Sequence, residues 1–175
     1  MSKWMIDPDH SVAAFAIRHM MIAFVRGQFN KITGTIQFDP EDITRSSVEM
    51  EIDVASLTSG IKKRDEHLLS ADFFEVEKYP KITFKSMGIE KTGTNSGKVT
   101  GDLTIHGVTR SVTLEVSFFG PVKSPFGETS MGFSAATSLN REGFGIMWNE
   151  PMEKGGLMIG RDVEITVDIE ADLAE

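Results

Sequence analysis

Four histidines, His10, His19, His67 and His106, are the side chains of this chain best suited to move a proton near neutral pH or to hold a metal. Their spacing keeps them apart. No two stand at the i, i+4 spacing of a helical metal motif, and His10 and His19 differ in strand parity, so they point to opposite faces of one strand. The chain has no cysteine, which removes thiolate chemistry, disulfides and Cys-zinc sites. No metal and no cofactor are expected. Gly132-Phe133-Ser134-Ala135-Ala136 has part of a nucleophile elbow but lacks its last glycine, and a strand continues where an elbow needs a turn into a helix. Ser134 is therefore expected as a small outward residue. Gly93-Thr94-Asn95-Ser96-Gly97-Lys98 has one residue too few for a phosphate loop and leads into a strand, so it reads as a hairpin. Glu49 with Glu51, and Asp162 with Glu164, fall on water-facing strand positions, where carboxylates solvate the surface.

One charged pair is placed differently. Residues 58–74, TSGIKKRDEHLLSADFF, carry the one strong helical signal, with Ile61, Leu68 and Leu69 at i, i+7 and i+8. Arg64 and Asp65 sit at i+3 and i+4, inside the stripe that should be apolar. They read first as a salt bridge or as bonds to neighbouring groups, and second as ligand contacts. Thr58 or Ser59 is expected to cap the start. The segment is expected to lie over the end of a sheet or barrel as a lid or plug.

Around that helix the chain reads as strands. Residues 11–19 alternate, with Phe15 and Ile17 as the inward candidates. Residues 20–25 are a short apolar run, read as a turn of helix at a barrel mouth. Residues 27–38 give a second strand, interrupted near 30–34 by a bulge or sharp bend. Val48, Met50, Ile52 and Val54 then face inward against Glu49, Glu51 and Asp53. After the helix come Ile82 with Phe84, then Val99 to Ile105, then Val112 to Phe118. Residues 120–128 carry two prolines and read as an exposed loop. Met131, Phe133, Ala135 and Thr137 mark the seventh strand, residues 140–160 a long glycine-rich connection holding Trp148, and Val163 to Ile169 the last strand. The expected fold is all-β: an eight-stranded antiparallel barrel in one domain spanning 1–175, with one helix inserted after the third strand. A two-sheet sandwich is the alternative.

With 175 residues, 40% hydrophobic and 25% charged, the chain suits one globular domain. A net charge of -8 argues against nucleic acid, and no run approaches the ~20 apolar residues of a spanning helix. Asp7, Pro8 and Asp9 interrupt any apolar signal-peptide core, so the cytoplasm is the expected compartment. The apolar inventory is unusual: 12 Phe and 10 Met against 2 Trp and 1 Tyr. Such side chains fill a core, or they line a cavity for a long hydrocarbon. At ~0.8 kcal/mol per buried CH₂, about ten groups give ~8 kcal/mol gross, near micromolar before ordering costs.

Trp4, Asp7, Asp9-His10-Ser11, Phe15-Ala16-Ile17-Arg18-His19, Gly27-Gln28-Phe29, Gly34-Thr35 and Phe38 resemble the opening pattern of the YceI-like family. Lys63-Arg64-Asp65-Glu66-His67-Leu68, Asp72-Phe73-Phe74, Pro80-Lys81-Ile82-Thr83-Phe84-Lys85-Ser86, Gly101-Asp102-Leu103-Thr104-Ile105 with Gly107-Val108-Thr109, and Asn140-Arg141 with Phe144-Gly145 follow in the family's order. The resemblance implies a lipocalin-like barrel with a helix over one end and an elongated apolar tunnel. It also implies polyisoprenoid or isoprenoid-quinone-like lipids as ligands, and a homodimer. The function expected is non-catalytic binding, storage or transport of a long-chain isoprenoid or related lipid. Phe15, Ile17, Phe29, Phe38, Met50, Ile52 and Phe84 are the expected tunnel wall from the first half of the chain. Leu103, Ile105, Leu114, Val116, Phe133, Val163 and Ile165 are that from the second. His19, Arg64 and Asp65 are the candidates for its polar end. The alternatives are an enzyme using His19 or His67 as acid/base, and an interaction protein with a filled interior.

Overall fold

Alternation along the chain becomes a single closed sheet in the computed structural model, which describes residues 1–175. The strands are β1 (Ser2–Ile6), β2 (Val12–His19), β3 (Ala23–Phe29), β4 (Ile32–Phe38), β5 (Ser47–Asp53) and β6 (Leu57–Thr58). Helix α1 (Lys62–Leu69) intervenes before β7 (Lys81–Gly93), β8 (Ser96–Ile105), β9 (Val108–Lys123), β10 (Thr129–Asn140) and β11 (Ile159–Leu173). Neighbours run β1-β4-β5-β7-β8-β9-β10-β11, and β11 returns to β1, so eight strands close an antiparallel barrel.

Strands β2 and β3 prolong that wall toward the helical end. Both β1 and β2 pair with β11, at Ile6↔Ala171 and at Phe15↔Ile165, so they are two halves of one bent strand. Asp7 makes the bend: its carboxylate accepts from Asp9 N at 2.9 Å, Pro8 follows, and its own N–H donates to the Glu170 carbonyl at 2.9 Å. Strands β3 and β4 are bent in the same way, the first on β2 and the second on β1. Two glycines permit close approaches: a Cβ on Gly27 would strike the ring of Phe15 across the ladder, and one on Gly34, at φ +153°, would strike the Glu49 carbonyl.

The sequence left out β1, whose Trp4 is buried and whose two pairings close the barrel. Five residues with polar Ser2 and Lys3 give too short an alternation to register. The apolar run 20–25 is a turn followed by the start of β3, because its residues pair across to β2 at Arg18↔Phe24 and His19↔Ala23. The strand expected over 27–38 divides within the expected interruption, with β3 ending at Phe29 and β4 beginning at Ile32. Residues 120–123, expected in a loop, continue β9 and pair with β10 at Val122↔Ser130. Helix α1 is shorter than the pattern, and its N-cap is Ile61 with no side-chain cap; Thr58 belongs to β6. Ser59 instead serves as a hub for the two charged residues described below.

The packed core lies around the bends, where Trp4, Ile32, Ile36, Val54, Ile82 and Ala171 meet. Phe38 adds edge-on contacts to Phe118 at 5.2 Å and Phe133 at 6.0 Å, at the end of the barrel away from α1.

Candidate ligand-binding site

Toward α1 the inward faces of the strands do not meet. Between them lies a cavity of about 610 Å³, within the range of ligand pockets, with 28 hydrophobic residues among the 34 that line it. Its wall is strand parity carried round the barrel: Phe15 and Ile17 from β2, Phe29 from β3, Met50 and Ile52 from β5, and Phe84 from β7. Leu103 and Ile105 from β8, Leu114 from β9, and Val163 and Ile165 from β11 complete it. Phe15, Ile17, Leu103, Ile105, Val163 and Ile165 are only half-buried although they point inward, because they face space instead of side chains. A second cavity of about 90 Å³ lies toward the other end and holds Phe38, Val116 and Phe133 in its lining. Met50, Phe84, Leu114 and Val167 border both.

The lid is α1 with the residues that follow it. Arg64, His67 and Leu68 line the cavity from the helix, and Phe73 and Phe74 from the turn after it. Asp65 does not line it. Its Oδ1 accepts from Ser59 N at 2.7 Å and from Ser59 Oγ at 2.5 Å, while Arg64 donates from Nε to Ser59 Oγ and from Nη2 to the Ser59 carbonyl, each at 2.8 Å. The pair thus bonds to one neighbouring serine and fixes the approach to the helix. His67 pairs through Nε2 with Asp72 Oδ2 at 2.8 Å and stands edge-on to Phe73 and Trp148, each 5.0 Å away. These rings join the lid to the long 140–160 connection.

That connection is held by Arg141, a residue the parity argument could have reached: 137, 139 and 141 continue the inward face of β10. Its guanidinium donates from Nε to the Gly160 carbonyl at 2.7 Å and from Nη1 to that of Ile146 at 2.8 Å, with Nη2 3.4 Å from that of Ile159. It is buried with no carboxylate bonded to it, and burial lowers its pKa from the ordinary guanidinium value, with Glu142 opposing. Trp148, Phe144 and Phe24 also line the cavity and were not singled out as site residues. Their signal is faint, since two lie in an irregular segment and one beside a turn.

The polar lining consists of Arg18, His19, Arg64, His67, Thr137 and Arg141, with no carboxylate, and the Thr137 hydroxyl donates to the Thr113 carbonyl at 2.9 Å. His10 and His106 lie outside the cavity lining. Asp7, His10 and Glu170 bring ligand-type atoms within 4.8 Å of one another on the outer wall, with His10 Nδ1 bonded to Asp7 at 2.6 Å. The cavity's chemistry is apolar burial with cationic and hydrogen-bonding groups.

Comparison with known proteins places this geometry. A model of the YceI-like domain matches residues 4–171. A UPF0312 protein of Staphylococcus aureus strain N315 is 34% identical over the whole of both chains. One from Pseudomonas putida strain W619 is 38% identical over 147 residues, covering 83% of this chain and 77% of that protein. The crystal structure of Burkholderia cenocepacia BcnA superposes with a TM-score of 0.82 at 27% identity, covering 94% of this chain and 98% of that one. A polyisoprenoid-binding domain from Saccharophagus degradans, at 15% identity, shares the fold with a TM-score of 0.73 over 99% of this chain and all of its own.

Proposed function

The chain belongs to the YceI-like family, and we propose that it binds, stores or carries a long-chain isoprenoid or related lipid in the barrel cavity without catalysing a reaction on it. The observation carrying this reading is the void itself: about 610 Å³, apolar on most of its wall, beneath a helical lid. An interior so shaped loses dispersion contacts while empty and regains them with any hydrocarbon that fits. The polyisoprenoid-binding domain of Saccharophagus degradans, which shares the fold, agrees with it. A filled-core interaction protein is not supported by a cavity of this size.

A catalytic reading needs a nucleophile or an acid/base pair beside the cargo; the lining has no carboxylate and no uncommitted hydroxyl, and its one His–carboxylate contact is His67 with Asp72 outside the lining. It would show as turnover that depends on pH and disappears in His19→Ala or His67→Ala. No helix is long and apolar enough to cross a membrane. The cytoplasmic compartment and the homodimer expected from the sequence belong to the same proposal, and cell fractionation and sedimentation equilibrium check them.

Solvent extraction of the purified protein followed by mass spectrometry is the direct test. A polyprenyl or related chain in the extract, and uptake of added polyprenol by the stripped protein, are the expected results. Val163→Trp, which puts a bulky ring into the void, should fold and take up no polyprenol. No extracted lipid together with no uptake sinks the proposal.

A further inference from the structure

The turn between β2 and β3 is built against its own conformational preference. Met20 and Met21 have φ of 52° and 62°, and the Ile22 N–H donates back to the His19 carbonyl at 3.2 Å, so both central residues of the turn are left-handed. Such a turn ordinarily takes Asn-Gly, because a side chain with a Cβ is disfavoured there. Here it carries two methionines and then an isoleucine, all turned to water: Ile22 is 78% exposed and Met21 55%. Folding alone gives no reason to place apolar side chains at this tip.

Two further facts give the tip a context. Arg18, His19, Ala23 and Phe24, which flank it, also line the cavity, so the hairpin is both the rim of the void and the part projecting beyond it. Its charge is one-sided as well. Arg18 and Arg26 lie over the ring of Phe24, 4.2 and 5.4 Å from its centroid, and no carboxylate occurs between Asp9 and Asp39 in a chain with 26 of them. The segment bonded to the turn, through Met20 N to the Met158 carbonyl at 2.6 Å, adds exposed Glu150, Glu153 and Lys154.

We propose that the β2–β3 tip docks the cavity rim onto an anionic lipid bilayer, with Met20, Met21 and Ile22 entering the headgroup boundary and Arg18 and Arg26 against phosphates. Flexible thioethers suit that disordered layer, and arginines beside an apolar tip suit its negative surface. A second copy fits less well: in a two-fold contact the partner offers the same carboxylate-free hairpin, and only Glu150 and Glu153 of the adjoining segment could answer its arginines. The docking is a loading step for the lipid cargo proposed above and rests on that reading for its purpose.

Flotation of the full chain with phosphatidylcholine vesicles, with and without phosphatidylglycerol, tests it. The protein should float with the anionic vesicles, and salt near 1 M, where the Debye length is about 3 Å, should weaken this. Ile22→Asp should reduce partitioning about tenfold. The double variant Met20→Asn, Met21→Gly, which suits the turn, should melt no lower than the parent and yet lose partitioning to a similar degree. Both variants should take up polyprenol from a detergent dispersion as the parent does, while their uptake from anionic vesicles slows. Absence of flotation by the parent overturns the proposal, as does equal flotation of the variants or loss of a dimer in size exclusion as their main effect. A parent that floats but takes up no polyprenol sinks the cargo and leaves the docking standing.

Discussion

At the end of the barrel away from α1, Phe38, Phe118 and Phe133 meet edge to face and leave a residual space of about 90 Å³. At the α1 end, residues of the same alternating pattern surround about 610 Å³. Strand parity is identical in the two regions, so parity does not separate a plug from a bore. Closure across the interior does. At one end Phe38 packs edge-on against Phe118 and Phe133 across the interior. At the other the rings, Phe15, Phe29, Phe73 and Phe74 among them, stand round a wall that β2 and β3 carry past the bends and leave its middle open. The plugged end supplies rigidity, and the hollow end leaves room that a guest can fill.

That contrast can be broken most forcefully at the plug. Phe38→Ala should cost about 3–5 kcal/mol, as a large ring leaves a tightly packed site, and urea titration would report it. Ile17→Ala at the hollow end should cost well under half of that, since the side chain already faces space. Equal losses would mean that the two ends are packed alike. Arg141→Met comes next, at about 2–3 kcal/mol, because it strips donors from the carbonyls of Gly160 and Ile146 and loosens the connection behind the lid. A guest should then act on the hollow end alone. Polyprenol at a hundredfold excess over its Kd stabilises by about 2.7 kcal/mol, or roughly 5–10 °C in Tm for a chain of this size. The same shift persisting in Val163→Trp would place the guest elsewhere.

The smallest effect belongs to the outer wall. His10 and Asp7 hold each other at 2.6 Å. The hydrogen bond that His10 donates to the Asp7 carboxylate raises the His10 pKa above its ordinary 6.5 and lowers the Asp7 carboxyl below its ordinary 3.8. The His10 contribution is complete below pH 6.5 and fades as pH rises through its folded value. That of Asp7 is complete above pH 3.8 and fades as pH falls through its own folded value. His10→Ala should therefore lower Tm slightly between those limits and leave it unchanged at alkaline pH, in both apo and polyprenol-loaded protein. A change in polyprenol affinity would connect the bend to the bore.

Much of the barrel was readable because alternation is a local property. Val48, Met50 and Ile52, or Val163 and Ile165, announce their inward face within a few residues, and the helical spacing of Ile61, Leu68 and Leu69 placed a helix after the third expected strand. What escaped was non-local. Strand β1 is recognised by what it pairs with at both edges, the change of partner across the break in 27–38 by where β1 ends, and the release of Asp65 from the cavity by the position of Ser59.

The amino-acid order alone determined which side chains turn inward, that the strands are antiparallel and close on themselves, and the family whose pattern they follow, since each is written in residue types and short spacings. Only the folded barrel decided that the interior is plugged at one end and hollow at the other, that Arg141 is spent on backbone carbonyls, and that Met20 and Met21 stand exposed in a left-handed turn. Those outcomes depend on summed volumes and on partners brought from opposite ends of the chain, which no local window contains.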